Sequence, residues 1–445
     1  MRYWYGCLIA GVCTGLAPLS AWADASGRSY TIVGTHQQDC YDEQGRTGCA
    51  PVGQPLSGQD AQHPGPAPLY RDNGDGTISD LNTGLMWSKG FQRSPWNEAP
   101  ERAQASRLAG YQDWRVPTIK ELYSLILFDG RTGSFSGAPD QVPADAKPYL
   151  DRTAFEFEYP TGGRFIDAQY ISSTAYRGIT MGRDRSFFGV NFADGRIKAY
   201  PQGGGPVSRQ GYYLRLVRGN PAYGQNQFRD NHNGTISDRA TGLMWEQADH
   251  PEQGWAEALV TCSGLKLAGT SDWRLPNAKE LQSLVDYQRS PSSTQSAALS
   301  PLFAIHEIRD EAGRRNWPFF WSSTSHLDGR QPGSYAVYIA FGEALGKPSM
   351  PGAGGGSRPP GGGDRRPLPG PGGPPPRGGP PPGHPPVDSR MEGGDSVILD
   401  VHGAGAQRSS PKASSRQAAV FEGPQGDVLR VRNAVRCVRN DSDAN

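Results

Sequence analysis

Apolar positions along this chain fall in short alternating runs and short helical faces, never in one long stretch, and the same runs come round twice. Polar Asp72-Asn73-Gly74-Asp75-Gly76 leads into Thr77-Ile78-Ser79, and Asn82-Thr83-Gly84 leads into Leu85-Met86-Trp87, which predicts a hairpin whose turns use Gly76 and Gly84 for positive φ. Thr118 with Glu121 three residues on has capping-box spacing, and Asn277 with Glu280 offers a related start. Behind these starts Leu122, Leu125 and Ile126 share one helical face, as do Leu281, Leu284 and Val285. An earlier helix is predicted around Ala103 to Leu108 and Trp255 to Leu267. From Ser334 to Phe341, Tyr335, Val337, Ile339 and Phe341 alternate with small or polar neighbours, as in a half-buried strand, and Phe188, Val190 and Phe192 repeat that face.

These runs belong to an internal repeat. RDNGDGTISDLNTGLMW (Arg71 to Trp87) and RDNHNGTISDRATGLMW (Arg229 to Trp245) agree without a gap at all but four positions. LAGYQDWRVPTIKELYSLI (Leu108 to Ile126) then matches LAGTSDWRLPNAKELQSLV (Leu267 to Val285). Ser172-Ser173-Thr174 corresponds to Ser322-Ser323-Thr324, and the segment from Leu214 to Arg218 to that from Val435 to Arg439. The first repeat is placed at 69–220 and the second at 224–440, preceded by a segment over 24–68. The second is longer because of an insertion, nearly all Pro, Gly and Arg over about 350–387, whose glycines keep no three-residue period; an extended loop is expected there, not a collagen helix. Each repeat reads as hairpin, two helices, a loop-rich middle, strands and one closing strand, which in the second repeat contains Cys437, so the fold class expected is α+β.

Composition narrows the setting. Arg2, an apolar stretch from Trp4 to Leu16 and the small-residue exit Ala21-Trp22-Ala23 have the layout of a cleavable export signal over 1–23. No later stretch approaches the roughly 20 apolar residues of a membrane helix, so the expectation is a mature protein without a transmembrane segment, secreted, periplasmic or at the cell surface. Lys and Arg number 45 and Asp and Glu 44, and without Arg2 the two balance. A balanced chain without a basic domain argues against nucleic acid as partner.

Four cysteines lie beyond the export signal: Cys40, Cys49, Cys262 and Cys437. Alignment of the repeats sets Cys262 opposite Ala103 and Cys437 opposite Leu216, so the first repeat lacks both together. Joint loss indicates a bonded pair, which leaves Cys40 and Cys49 to close a small loop.

Candidate chemistry is sparse. The acidic turns, with Asp72, Asn73 and Asp75 in one repeat and Asp230, Asn231 and Asn233 in the other, also resemble a calcium loop; an EF-hand register, however, puts Arg71 and Asn82 where carboxylates belong. A plain turn is the simpler reading, and calcium the one candidate cofactor. Arg215, Arg218, Arg432, Arg436 and Arg439 near the ends of the repeats are candidates for contact with an anionic sugar. Residues 69–220 contain neither His nor Cys, which removes the usual general base, thiol nucleophile and commonest zinc ligands from anything both repeats do. No catalytic residues are assigned, and no His-Glu-x-x-His pattern, nucleophile elbow or phosphate loop joins the histidines of the second repeat.

The DNGDGTISD…TGLMW block, the DWR-x-P…KEL helix, the SST segment and the closing VRCVR together resemble the C-terminal domain family of the bacterial collagen-like adhesin Lcl. That resemblance implies two tandem extracytoplasmic domains, distantly like the C-type-lectin and sulfatase-modifying-factor fold, with mixed or antiparallel short strands, two helices each and long loops. It also implies a bond from the first helix to the last strand and binding to sulfated polysaccharide. By analogy with that fold, loops 128–170 and 287–320 are the expected ligand surface. The expected function is a non-catalytic binding or adhesion protein whose partner is surface polysaccharide or a cell-envelope protein. A structural envelope component and a carbohydrate- or sulfate-ester-acting enzyme are the alternatives.

Overall fold

The structure is a computed structural model and describes residues 27–134, 138–203, 211–329, 331–348, 397–413, 419–422 and 426–441. The expected export signal and the Pro/Gly-rich part of the insertion lie outside these residues. Among the described residues no helix is long and apolar enough to cross a membrane.

Short strands and shorter helices make an α+β fold. Among the described residues the α-helices are α1 (Ala99–Ala105), α2 (Ile119–Ser124), α3 (Trp255–Gly264), α4 (Ala278–Ser283) and α5 (Pro291–Thr294), the last a four-residue helix of the second repeat that its sequence did not announce. Helices of one or two turns do not hold in water by themselves, and α2 and α4 are fixed by their ends and their buried face. Thr118 and Asn277 accept from the amides of Glu121 and Glu280, whose carboxylates accept back from the cap amides at 2.8 and 2.9 Å. Each cap contributes about 1 kcal/mol. Helices α1 and α3 end before the predicted Leu108 and Leu267. The chain turns extended at Ser106 and Leu265, then swings through positive φ at Ala109-Gly110 and Ala268-Gly269.

Each hairpin is a three-stranded meander, Tyr70–Asp72, Thr77–Asp80, Leu85–Ser88 and Phe228–Asp230, Thr235–Asp238, Leu243–Glu246. A fourth strand from the end of each repeat, Val217–Gly219 or Val438–Asn440, completes it. The closing segment is not one strand, as expected, but two. Tyr212–Leu214 and Asn433–Val435 belong to a different sheet, and the chain crosses between sheets at Arg215-Leu216 and Arg436-Cys437.

That other sheet has ten strands and runs through both repeats. Its order is Gln92–Ser94, Tyr212–Leu214, Gln169–Ala175, Ser186–Asn191, Arg196–Pro201, then Gln407–Pro411, Tyr335–Ala340, Phe319–His326, Asn433–Val435 and His250–Gln253. The second half is the first half in reverse, parallel pairs included: Tyr213 faces Tyr170 and Ala434 faces Phe320. The two halves meet antiparallel where Gln407 faces Ile197. Gln407–Pro411 lies beyond the insertion, whose ends are tied by the pairs Leu345 to Asp400 and Gly346 to Leu399.

Layers cover both faces of the sheet. One face packs on a single core that takes Leu122, Leu125 and Ile126 from the first repeat and Leu281, Leu284 and Val285 from the second, together with Trp87 and Trp245. The opposite face packs on two separate cores, around Trp114 and Phe187 in the first repeat and around Trp255, Trp273 and Trp321 in the second. Tyr335–Ala340 is therefore buried along both faces from Ala336 on, and the half-buried strand expected there is corrected: sequence alternation marked which core each residue joins, not water against core. The repeats share a sheet and a core, and so are not two independent beads.

Candidate binding groove

The arginines proposed to meet sugar are largely spoken for. Arg215 and Arg436 sit at the crossings between sheets, 0% and 1% exposed. Arg215 donates to the carbonyls of Ser88, Lys89, Gly90 and Glu156, and Arg436 to those of Glu246, Gln247, Ala248 and Ala304. Five donors in a rigid fork are what such a carbonyl cluster requires. Burial pushes Arg436 down to about 10 and Arg215 down as well. Neither side chain reaches a ligand, which overturns that assignment. Arg218 and Arg439 pair with Asp113 and Asp272 at 2.7 Å, tying the end of each repeat to its DWR block. The Asp of DWR thus holds the closing strand, while its Arg pairs with the helix Glu: Arg115 with Glu121 and Arg274 with Glu280, each bidentate at 2.6 to 2.7 Å. Arg432 remains half exposed beside Glu257.

The acidic turns use their oxygens internally. Asp72 accepts from the amide of Gly74 and from Lys89, whose hydrogen bond holds the carboxyl below its usual range. Asn73 bonds Thr77 and Ser79, and Asp75 caps Thr77. In the second repeat Asp230 accepts from His232 and Gln247, Asn231 bonds Thr235 and Ser237, and Asn233 caps Thr235. This is turn chemistry of the Asx kind. Glu246, His250 and Cys437 have ligand-type atoms within 4.8 Å of one another, but Cys437 is bonded to Cys262 and offers no thiolate. The other pair, Cys40 with Cys49, closes the hairpin Cys40–Asp42/Gly45–Thr47.

A cleft of about 840 Å³ opens instead beside α2. Its walls are the start of that helix with Arg115 and Thr118, the SST strand with Ser173 and Thr174, the linker Pro221 to Phe228, and the chain after α4 from Leu284 to Gln288. Ile119, Val285, Tyr223 and Phe228 give it an apolar side; Arg115, Glu121, Lys120 and Asp286 bring two charges of each sign. The hydroxyl of Thr174 accepts from the amide of Ile119 at 3.0 Å, which leaves its own proton to donate. Of the two expected ligand loops the second touches this cleft, through Tyr287, Gln288 and Ser300.

The matching place in the second repeat is filled by the chain's own N-terminal segment. Thr324 accepts from Ala278 as Thr174 does from Ile119, and donates to the carboxyl of Asp60 at 2.5 Å. Gln37 bonds the backbone of Ser325 in both directions at 2.8 Å, Phe128 donates to the carbonyl of Thr35 at 2.7 Å, and Lys279 donates to that of Gly34 at 3.1 Å. Burial raises Asp60 to about 6, against the hydrogen bond from Thr324, which favours the carboxylate. The effect on the walls is direct: Ser323 is buried while Ser173 is exposed, and the Arg274 side chain is 12% exposed against 34% for Arg115.

Between the two places the KEL helices meet. Lys120 donates to the carbonyl of Ser283 at 2.7 Å and Lys279 to that of Ser124 at 2.8 Å, a reciprocal exchange between equivalent residues that caps the end of each other's helix. Burial lowers Lys120 to about 8 and Lys279 to about 7.

What the fold and the cleft define is a duplicated α+β scaffold in which one of two equivalent grooves is closed by its own chain and the other stands open. The family model of the Lcl C-terminal domain matches residues 76–218 and 234–353, more than half of the chain and both repeats, and the chain belongs to that family. No curated protein and no solved structure matches it.

Sequence reasoning had in hand the residues that build the groove, the DWR, KEL and SST blocks, but read them as cap, core and turn. The signal that separates the two grooves lies in residues 33–37 and 59–63, which have no counterpart before the second repeat.

Proposed function

We propose that this is an exported, non-catalytic binding protein that contacts an extracellular or envelope partner through the open groove of its first repeat. The observation that carries the reading is the contrast between equivalent grooves: the same walls are filled in one repeat and open, at about 840 Å³, in the other. Membership in a family named for an adhesin supports a contact role. Two disulfides support an oxidising compartment, as does the signal-like start of the sequence. The bond from α3 to the crossing before the last strand supports a C-type-lectin-like kinship for the second repeat. His326 and His402 are buried and pushed down to about 4, engaged with Ser409 and with Asp427 and Arg408, a poor basis for proton transfer at neutral pH.

Labelled full-length protein is applied to a glycan array and to immobilised envelope proteins, beside a Ser173→Trp variant that fills the groove from an exposed position. Binding that the variant loses is the expected result. Binding that the variant retains in full, or turnover of a sugar or sulfate ester, would overturn it.

A further inference from the structure

We propose that the open groove takes an acidic peptide: a stretch of another protein that presents one Asp or Glu carboxyl to Thr174, as Asp60 at the start of a short helical turn meets Thr324. This rests on the reading of the groove as the contact surface and names the chemistry of what fills it.

The second repeat shows what these walls hold. Its occupant is polypeptide, and it is held as polypeptide: backbone carbonyls of Gly34 and Thr35 accept from Lys279 and Phe128, and one side-chain amide, Gln37, pairs with a strand backbone. The single carboxyl, Asp60, is placed on the hydroxyl of Thr324, near the paired Arg274 and Glu280. Thr174, Arg115 and Glu121 reproduce that corner in the first repeat, with the Thr hydroxyl oriented by the same amide bond. Among the described residues the Thr174 hydroxyl donates its proton to no acceptor of the groove.

The same walls argue against a polyanion. Arg115 is already paired with Glu121, and Asp286 lines the opposite side, so the groove has no surplus of positive charge for a sulfated chain. One carboxyl answers one hydroxyl, while Ile119, Val285, Tyr223 and Phe228 suit apolar side chains beside it.

The probe is a synthetic peptide of residues 54–66, QPLSGQDAQHPGP, labelled and titrated with the intact protein while fluorescence anisotropy is read. Saturable binding is expected, weakened at least fivefold when the peptide's Asp becomes Ala and at least tenfold by Ser173→Trp in the protein. An unchanged melting temperature shows that this variant is folded, and its loss of binding assigns the peptide to the first repeat instead of exchange into the second. Absent saturation, or indifference to the peptide's Asp, would overturn the acidic peptide as ligand. If a polysaccharide instead binds the wild type and Ser173→Trp abolishes that, the groove stands and the peptide falls. If Ser173→Trp changes the binding of neither, the groove itself is not the contact surface.

Discussion

Ile197 and Gln407 face each other across the middle of the ten-stranded sheet, and they are the same position counted in the two repeats. Ser172 and Ser322 set the alignment; Tyr170 then pairs with Val190 as Phe320 pairs with Ile339, and Val190 meets Ile197 as Ile339 meets Gln407. Equivalent residues opposite one another in an antiparallel pair place a pseudo-two-fold axis between them, the self-complementary arrangement of a two-fold dimer built into one chain. The exchange between Lys120 and Lys279 obeys the same axis on the helical side.

A sheet and core shared in this way predict one unfolding event. Calorimetry on the oxidised protein is expected to show a single endotherm for both repeats, with calorimetric and van't Hoff enthalpies in agreement. Two resolved transitions would mean that the junction at Ile197 and the shared core around α2 and α4 do not couple the halves.

The buried arginines predict a large loss from a small change. Arg436→Gln or Arg215→Gln leaves several of four carbonyls without a donor, each costing about 1 to 3 kcal/mol when stranded, so destabilisation of at least 3 kcal/mol is expected from urea unfolding. Lysine should not rescue it, because a single ammonium lacks the fork. An effect below 1 kcal/mol would contradict the geometry.

Much of the scaffold was legible because the repeat supplies its own comparison. A capping residue or an apolar face seen once is an impression; seen at the same offset in both repeats, as with Thr118/Glu121 and Asn277/Glu280, it is a constraint. Arg215 misled for a physical reason: a charged residue in a short strand reads as a solvated charge even between Leu214 and Leu216, and only the crossing between sheets shows why a guanidinium belongs inside. Tyr335–Ala340 misled likewise, since alternation between two cores resembles alternation between core and water. The groove was not legible, because its emptiness depends on residues 33–37 and 59–63 packing on the distant second repeat, a contact that no local pattern encodes.

The bond between Cys262 and Cys437 spans 175 residues with Cα atoms 5.3 Å apart, and the first repeat shows what replaces it. Ala103 and Leu216 are both buried in the first repeat's outer core. The pair Cys262→Ala with Cys437→Leu is therefore expected to fold and to lose about 2 to 5 kcal/mol, read as a lower urea midpoint. Either cysteine changed alone leaves a free thiol without the packing remedy, and a lower yield of soluble protein is expected. Equal behaviour of the double and single variants would show that the apolar replacement contributes nothing.

The reciprocal lysines predict how stability depends on pH. In the folded chain Lys279 loses its proton near 7 and Lys120 near 8, with Asp80 and Asp60 drawing the first upward and Asp238 and Asp286 the second, whereas in the unfolded chain both hold it to about 10.4. Above their folded values the unfolded state binds more protons, so stability rises with pH, by up to about 1.4 kcal/mol per unit for each lysine. Asp60 and Asp400 act with the opposite sign: raised to about 6 and 7, they contribute stability that is present in acid and lost as pH climbs through those values. His326 and His402, lowered to about 4, are neutral in both states above their ordinary range. The interval from pH 8 to 9 therefore belongs to the lysines. Burial lowers Lys412 and Lys198 as well, with the same sign, so across this interval the urea midpoint of the wild type is expected to rise, that of Lys279→Met to rise less, and that of the double variant Lys120→Met/Lys279→Met to rise least. A wild-type midpoint that is flat or falling between pH 8 and 9 would show that these ammonium groups keep their protons at the helix ends, and that the exchange across the axis is an ordinary charged pair of caps.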